Sequence, residues 1–220
     1  DRLDDGFTSL ESRFENEFDK KVPDQEVFTR SCAKWIDVRS FGQVMTFQKR
    51  SIGIRGPVSI SIARSLSPVD ITSMQITRST NGMKAEEGKS RSSDTMGSKH
   101  YVNFGVYKVF GSINVFFTEK TGFTEKDAEI IKESLRTLFV NDASSARPEG
   151  SMEVKKIYWF THPSKIGIAS SAKIHNLVEA KQSDEVAKPS SYDDYEIVLN
   201  SSRLSSYKEL GLVVEEIEGI

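Results

Sequence analysis

Cysteine is nearly absent: Cys32 is the only one in 220 residues. One thiol excludes an internal disulfide and a Cys-rich zinc site, and it places the chain by default in a reducing cytoplasm. Histidine is scarce too. His100, His162 and His175 are scattered and fit no metal-ligand spacing, so no metal or other cofactor is expected. No apolar run approaches the ~20 residues of a transmembrane helix, so no membrane partner is expected. The opening stretch, Asp1 to Asp5, lacks both a signal peptide's apolar core and a starting Met, which reads as a processed or trimmed chain. With 14 Gly and 6 Pro, collagen-like and low-complexity classes are excluded. Neither sign of charge dominates. Thirty basic residues against 32 acidic ones give a net charge of -2, which taken alone argues against a nucleic-acid protein.

What is present fits one soluble globular chain, large enough for a sizeable core. Phe7, Leu10, Phe14 and Phe18 recur at helical spacing, predicting a helix over 7–20. Pro23-Asp24 then starts a second helix that runs to about Trp35. Residues 51–64 switch to a period of two. Ile52, Ile54, Val58, Ile60 and Ile62 form a buried face opposite small residues, with Pro57 at an edge or bulge. Residues 105–117 repeat that pattern. Thr121-Gly122-Phe123 makes a turn, and Thr124 with Asp127 reads as a capping box. It opens a helix to about Phe139 that buries Ala128, Ile131, Leu135, Leu138 and Phe139. A helix is expected over 170–179, and strands over 152–160, 194–199 and 211–217. The polar stretch 77–99 lies between extended segments and reads as the far part of a long hairpin. No βα repeat and no glycine fingerprint is present, so the predicted class is α+β with a largely antiparallel, ferredoxin-like or RNA-recognition-motif-like sheet.

The average charge hides a segregation. Arg39, Lys49, Arg50, Arg55 and Arg64 fall in a run that holds no Asp or Glu, whereas Asp1–Glu26 carries nine acidic and four basic residues. The basic run reads either as a phosphate track or as an ordinary solvated face. In Asp37-Val38-Arg39-Ser40-Phe41-Gly42, Arg39 suits a phosphate fork or a pair with Asp37. Phe41 suits a base stack or the core, and Gly42 a close ligand approach or a plain turn. Lys99, His100 and Tyr101 suit a phosphate clamp, acid–base cleavage of RNA, or the base of a hairpin. Arg147 sits in a loop of small residues that suits a phosphate, a partner, or simple helix termination. His162 and His175 read as structural or exposed.

Several of these segments occur together in one order: Asp37–Gly42, Arg55-Gly56-Pro57-Val58, Ala63-Arg64-Ser65, Ile76-Thr77-Arg78, Thr95–His100, Asp142–Arg147 and Tyr192–Glu196. From about residue 30 onward the chain resembles the backbone subunit of the type I-C CRISPR Cascade complex, of the repeat-associated RAMP superfamily. The resemblance implies a non-catalytic subunit with a modified RNA-recognition-motif core. Copies polymerise head to tail along one CRISPR RNA, beside other Cascade subunits and target DNA. It implies one domain over 1–220, with a thumb hairpin inserted at 68–99. Its RNA-binding surface falls on Arg39, Phe41, Gly42, Lys49, Arg50, Arg55, Arg64, Arg78, Lys99, His100 and Arg147. Met74, Met83 and Met96 fall on the thumb as wedges, or as simple packing residues. The family normally opens with a strand and a basic helix, and this chain starts after both, so the expected sheet lacks its first strand. The alternative activity within that superfamily is a metal-independent endoribonuclease using His100, Tyr101 and Lys99.

Overall fold

Local signals start most of the helices. Ser9 caps α1 (Leu10–Glu17) by accepting from the Ser12 amide. Phe14 and Phe18 are buried while Leu10 is exposed, so the predicted stripe is half as wide as its spacing suggests. Pro23 precedes α2 (Asp24–Lys34), whose first turn carries Asp24 and Glu26 and whose last turn carries Lys34, as the helix dipole favours. A short helix, α3 (Ile36–Phe41), follows at once and ends at Gly42, with φ 84°. This helix was not expected.

In the computed structural model, residues 6–77 and 96–220 are described. They divide into two compact units. One comprises Asp1–Ile62, Val109–Leu177 and Ser201–Ile220, and the other comprises Ala63–Lys108 and Val178–Asn200. The class is α+β. Among the described residues, every ladder is two-stranded and antiparallel.

In the first unit β1 (Gly42–Met45) pairs with β2 (Ile52–Arg55). Met45, Ile52 and Ile54 face a core of Phe14, Phe18, Val27 and Cys32. Phe14, Phe18, Phe47 and Trp35 meet there as tilted and edge-on rings. The strand predicted over 51–64 breaks at Gly56-Pro57. A Cβ on Gly56 would lie 2.2 Å from the Ser40 carbonyl oxygen, and the Pro57 carbonyl accepts from the Asn114 amide at 2.8 Å. The chain resumes as β3 (Val58–Ile60), paired with β8 (Gly111–Ile113). Val58 is buried, but Ile60 is 46% and Ile62 83% exposed, against expectation.

The second predicted strand, 105–117, is also broken. Its far half is α4 (Val115–Thr121), started by Asn114, whose side chain accepts from the Phe116 amide at 3.0 Å. Gly122, in the left-handed region, ends it. The predicted capping box is present: Thr124 and Asp127 bond reciprocally and open α5 (Glu125–Arg136). Ile131 is buried, whereas Leu138, expected inside, is 49% exposed. β9 (Lys156–Thr161) pairs with β12 (Val213–Glu218). Two short helices complete this unit: α6 (Ser171–His175), where a longer helix was expected, and α7 (Ser201–Glu209), which was not.

The second unit contains three ladders. β4 (Arg64–Ser65) pairs with β7 (Tyr107–Lys108), and β10 (Val178–Gln182) pairs with β11 (Tyr195–Leu199). The third ladder is the long one: β5 (Ile71–Thr77) with β6 (Met96–Val102), in the register Ile71↔Val102 to Thr77↔Met96. Buried Tyr195 shares a hydrogen bond with Ser67 at 2.6 Å.

Candidate nucleic-acid interface

The acid-free run divides into cations that hold the fold and cations that face solvent. Arg39, on α3, was expected at RNA. Its guanidinium instead donates to the buried Asp127 carboxylate at 2.7 Å and to the Cys32 and Ala33 carbonyls at 3.2 and 3.4 Å. Those carbonyls lie in the last turn of α2, where helical partners run out. The Arg39 hydrogen bond, the largest cause, holds the Asp127 carboxyl down at about 2, with help from Thr124. Arg50, also expected at RNA, is likewise occupied. Its side chain is 9% exposed, pairs with Asp24, and donates to the Asp19 and Lys20 carbonyls at 3.2 and 2.9 Å. Gln48 beside it donates to the Phe18 carbonyl at 3.0 Å. The turn between β1 and β2 is thereby fastened to the α1–α2 connection.

Lys49 and Arg55 belong to the solvent-facing group. Lys49, at φ 64° next to Gln48 at φ 56°, is exposed at the tip of the fastened turn. Arg55 ends β2, opposite Gly42. Its guanidinium lies over the Phe117 ring, 4.3 Å from the centroid. Stacking holds the planar group while leaving its N–H edge for an acceptor. The open face of this hairpin carries Val44, Gly53 and Arg55, so its backbone is accessible at Gly53. Gly42 itself is required inside: a Cβ would fall 2.2 Å from the Ile54 carbonyl oxygen and 2.7 Å from the Gly56 nitrogen. Phe41, at the edge, is 50% exposed. Arg147 closes a surface loop by a bidentate pair with Asp142 at 3.1 and 3.2 Å. Exposed pairs of this kind exchange partners at little cost.

In the second unit, Arg64 is exposed and stands opposite Lys108 across the β4–β7 ladder. The Lys108 amine donates to the Val178 carbonyl at 2.6 Å, and burial pulls its pKa down. Sequence reasoning passed over Lys108, because an alternating lysine looks like any solvated strand residue.

The β5–β6 ribbon has two distinct faces, since directly opposed residues share a side. One side carries Thr72, Met74 and Ile76 with Tyr101, Lys99 and Gly97. The other carries Ile71, Ser73, Gln75 and Thr77 with Val102, His100, Ser98 and Met96. Tyr101 donates to the Met74 sulfur at 3.0 Å, and Gln75 donates to that of Met96 at 2.8 Å. Met74, Met96 and Ile76 are 51%, 64% and 52% exposed. The two wedge candidates therefore stand on opposite faces. So do His100 and the Lys99–Tyr101 pair, and the trio needed for acid–base cleavage is not assembled on one side. Arg78 and Met83 lie outside the described residues.

Comparison with protein families matches residues 6–200 to CRISPR-associated protein Cas7. The chain belongs to the Cas7 family. It is thus a CRISPR-associated backbone subunit of the kind found in Cascade-like complexes. No curated protein matches it. The mixed helices and small antiparallel ladders are those of a Cas7 chain of the RAMP type. Among the described residues of this Cas7 chain, no helix is long and apolar enough to cross a membrane, and no cluster of three His, Cys, Asp or Glu is placed to hold a metal.

Proposed function

We propose that this Cas7 chain is the guide-RNA-binding backbone subunit of a type I-C Cascade complex in the cytoplasm. It is non-catalytic and binds CRISPR RNA without reading its sequence. Copies of it stack head to tail along the guide, beside other Cascade subunits, while target DNA pairs with the guide. The observation that carries this reading is Arg55. It is an exposed guanidinium held over Phe117, beside an open small-residue face and with no carboxylate partner among the described residues. A phosphate contact from such a group fixes position without reading base identity. Lys49, Arg64, Lys99 and Arg147 are the further candidate backbone contacts. On the ribbon, Met74 with Tyr101 forms one candidate base-contacting face, and Met96 lies on the other. The separation of His100 from Lys99 and Tyr101 supports a binding role over endoribonuclease activity.

The test measures binding of unrelated single-stranded RNAs against salt. Wild type should bind them alike. Arg55→Ala should weaken all of them equally and lower the log–log salt slope by about 0.7, the value for one phosphate contact on a single strand. A loss confined to one sequence would contradict the reading. Specific cleavage of repeat RNA that vanishes in His100→Ala would replace it with the endoribonuclease.

A further inference from the structure

We propose that His100 is a pH-operated contact that tightens this subunit's hold on RNA as pH falls; the inference rests on the RNA-binding reading above. Several observations converge on this residue. It lies within an exposed ribbon strand rather than in a core. The face it shares with Ser73, Gln75, Ser98, Met96 and Thr77 carries no other charged or titratable group among the described residues. Lys99 and Tyr101 flank it in sequence but point to the opposite face. Asp70, just before β5, is occupied by an ion pair with Lys188. Among the described residues, one imidazole therefore sets the charge of this face.

The tether to Ser73 completes the set. Ser73 Oγ and His100 Nδ1 are 2.8 Å apart across the ladder. A hydroxyl both donates and accepts. With the neutral ring, Ser73 donates to Nδ1. With the imidazolium, Nδ1–H donates to Ser73 Oγ. One rotation of the hydroxyl hydrogen keeps the bond in either state, so the ring need not move when it gains a proton. Its Nε2 edge is aimed the same way in both. Only its charge changes, and a phosphate facing it gains a charge-assisted hydrogen bond. Histidine is the side chain suited to such a change near neutrality. By linkage, bound RNA must in turn hold the proton on His100 more firmly.

Fluorescence anisotropy with the full chain and a labelled single-stranded RNA of mixed sequence tests this at about pH 8 and about pH 6, each across a salt series. Wild type should bind about three- to tenfold more tightly at the lower pH, as one charge-assisted contact gives, with a salt slope steeper by about 0.7. His100→Gln keeps a hydrogen-bonding group without the charge, and should bring the ratio of the two affinities to about one. In proton NMR, the His100 ring resonances should titrate at higher pH with RNA than without it. Equal pH ratios in wild type and His100→Gln, or a wild-type ratio of one, would overturn the proposal. So would a His100 titration that RNA leaves unmoved. Absence of RNA binding at both pH values is a distinct result, which would remove the RNA-binding reading and this inference with it.

Discussion

Replacing Asp127 by asparagine probes the contact that organises the first unit. The carboxylate does two jobs with two oxygens. Oδ1 accepts from Arg39 at 2.7 Å, and Oδ2 accepts from the Thr124 amide and hydroxyl, each at 2.9 Å. Asparagine offers one oxygen and one NH2, so it can serve the cap or the guanidinium but not both. Holding the carboxyl at about 2 instead of 3.8 corresponds to about 2 kcal/mol of stability at neutral pH. Asp127→Asn should therefore lower the free energy of unfolding by about 2–3 kcal/mol, the upper end reflecting an Arg39 left without its counter-charge. The sign with pH follows from the depressed pKa. The contribution is complete above the ordinary carboxylate range and is lost as pH falls from about 5 towards 2. Urea unfolding followed by tryptophan fluorescence reads it, with Trp35 at the α2–α3 junction reporting locally. Wild type should lose stability across that window faster than Asp127→Asn. Arg39→Gln should cost about 2 kcal/mol, and the double variant should fall short of additivity by more than ~1 kcal/mol. Additive costs, or identical acid profiles for wild type and Asp127→Asn, would refute the pair as a structural tether.

Gly42→Ala combines a positive φ with a Cβ 2.2 Å from the Ile54 carbonyl oxygen, and should cost more than about 2 kcal/mol in the same urea assay. Asn114→Ala removes the α4 cap and should cost about 1 kcal/mol, recovered largely by Asn114→Ser. Arg147→Ala, which breaks an exposed pair, should change stability by less than ~0.5 kcal/mol while weakening RNA binding and flattening its salt dependence.

Features fixed by short-range chemistry are legible in the sequence. Thr124 and Asp127 form the expected box, Gly122 lies at the expected turn though it ends a helix rather than a strand, and the extended stretch up to Ile76 is one arm of a ribbon whose other arm starts at Met96, inside the stretch read as loop. Errors arose where a period of two and a helical turn could both accommodate the same residues. Ile113, Val115 and Phe117 alternate and are strand formers, yet the Asn114 cap turns the chain into α4. The run over 51–64 keeps its period of two on both sides of Gly56-Pro57, but close backbone packing of Gly56 on Ser40 divides it in space. The candidate site was legible as a collection of cations and not as a division of labour. Arg39 meets Asp127 across 88 positions, and Arg50 meets Asp24 across 26. Local composition carries no trace of such partners, so a buried tether and a solvent-facing arginine read identically. Phe117 beneath Arg55 was hidden for the same reason.

The register of the ribbon imposes a parity rule on any mutational scan of it. Paired positions in β5 and β6 add to an odd number, so odd positions of the first strand act with even positions of the second. Substitutions taken in chain order should then give an alternating barcode of large and small effects, inverted between the two arms. Met74 and Tyr101 would share one phase, and Met96 and His100 the other. A ligand that touches one side of the strip would print only one phase of that barcode. One that threads past both sides would print the two phases together.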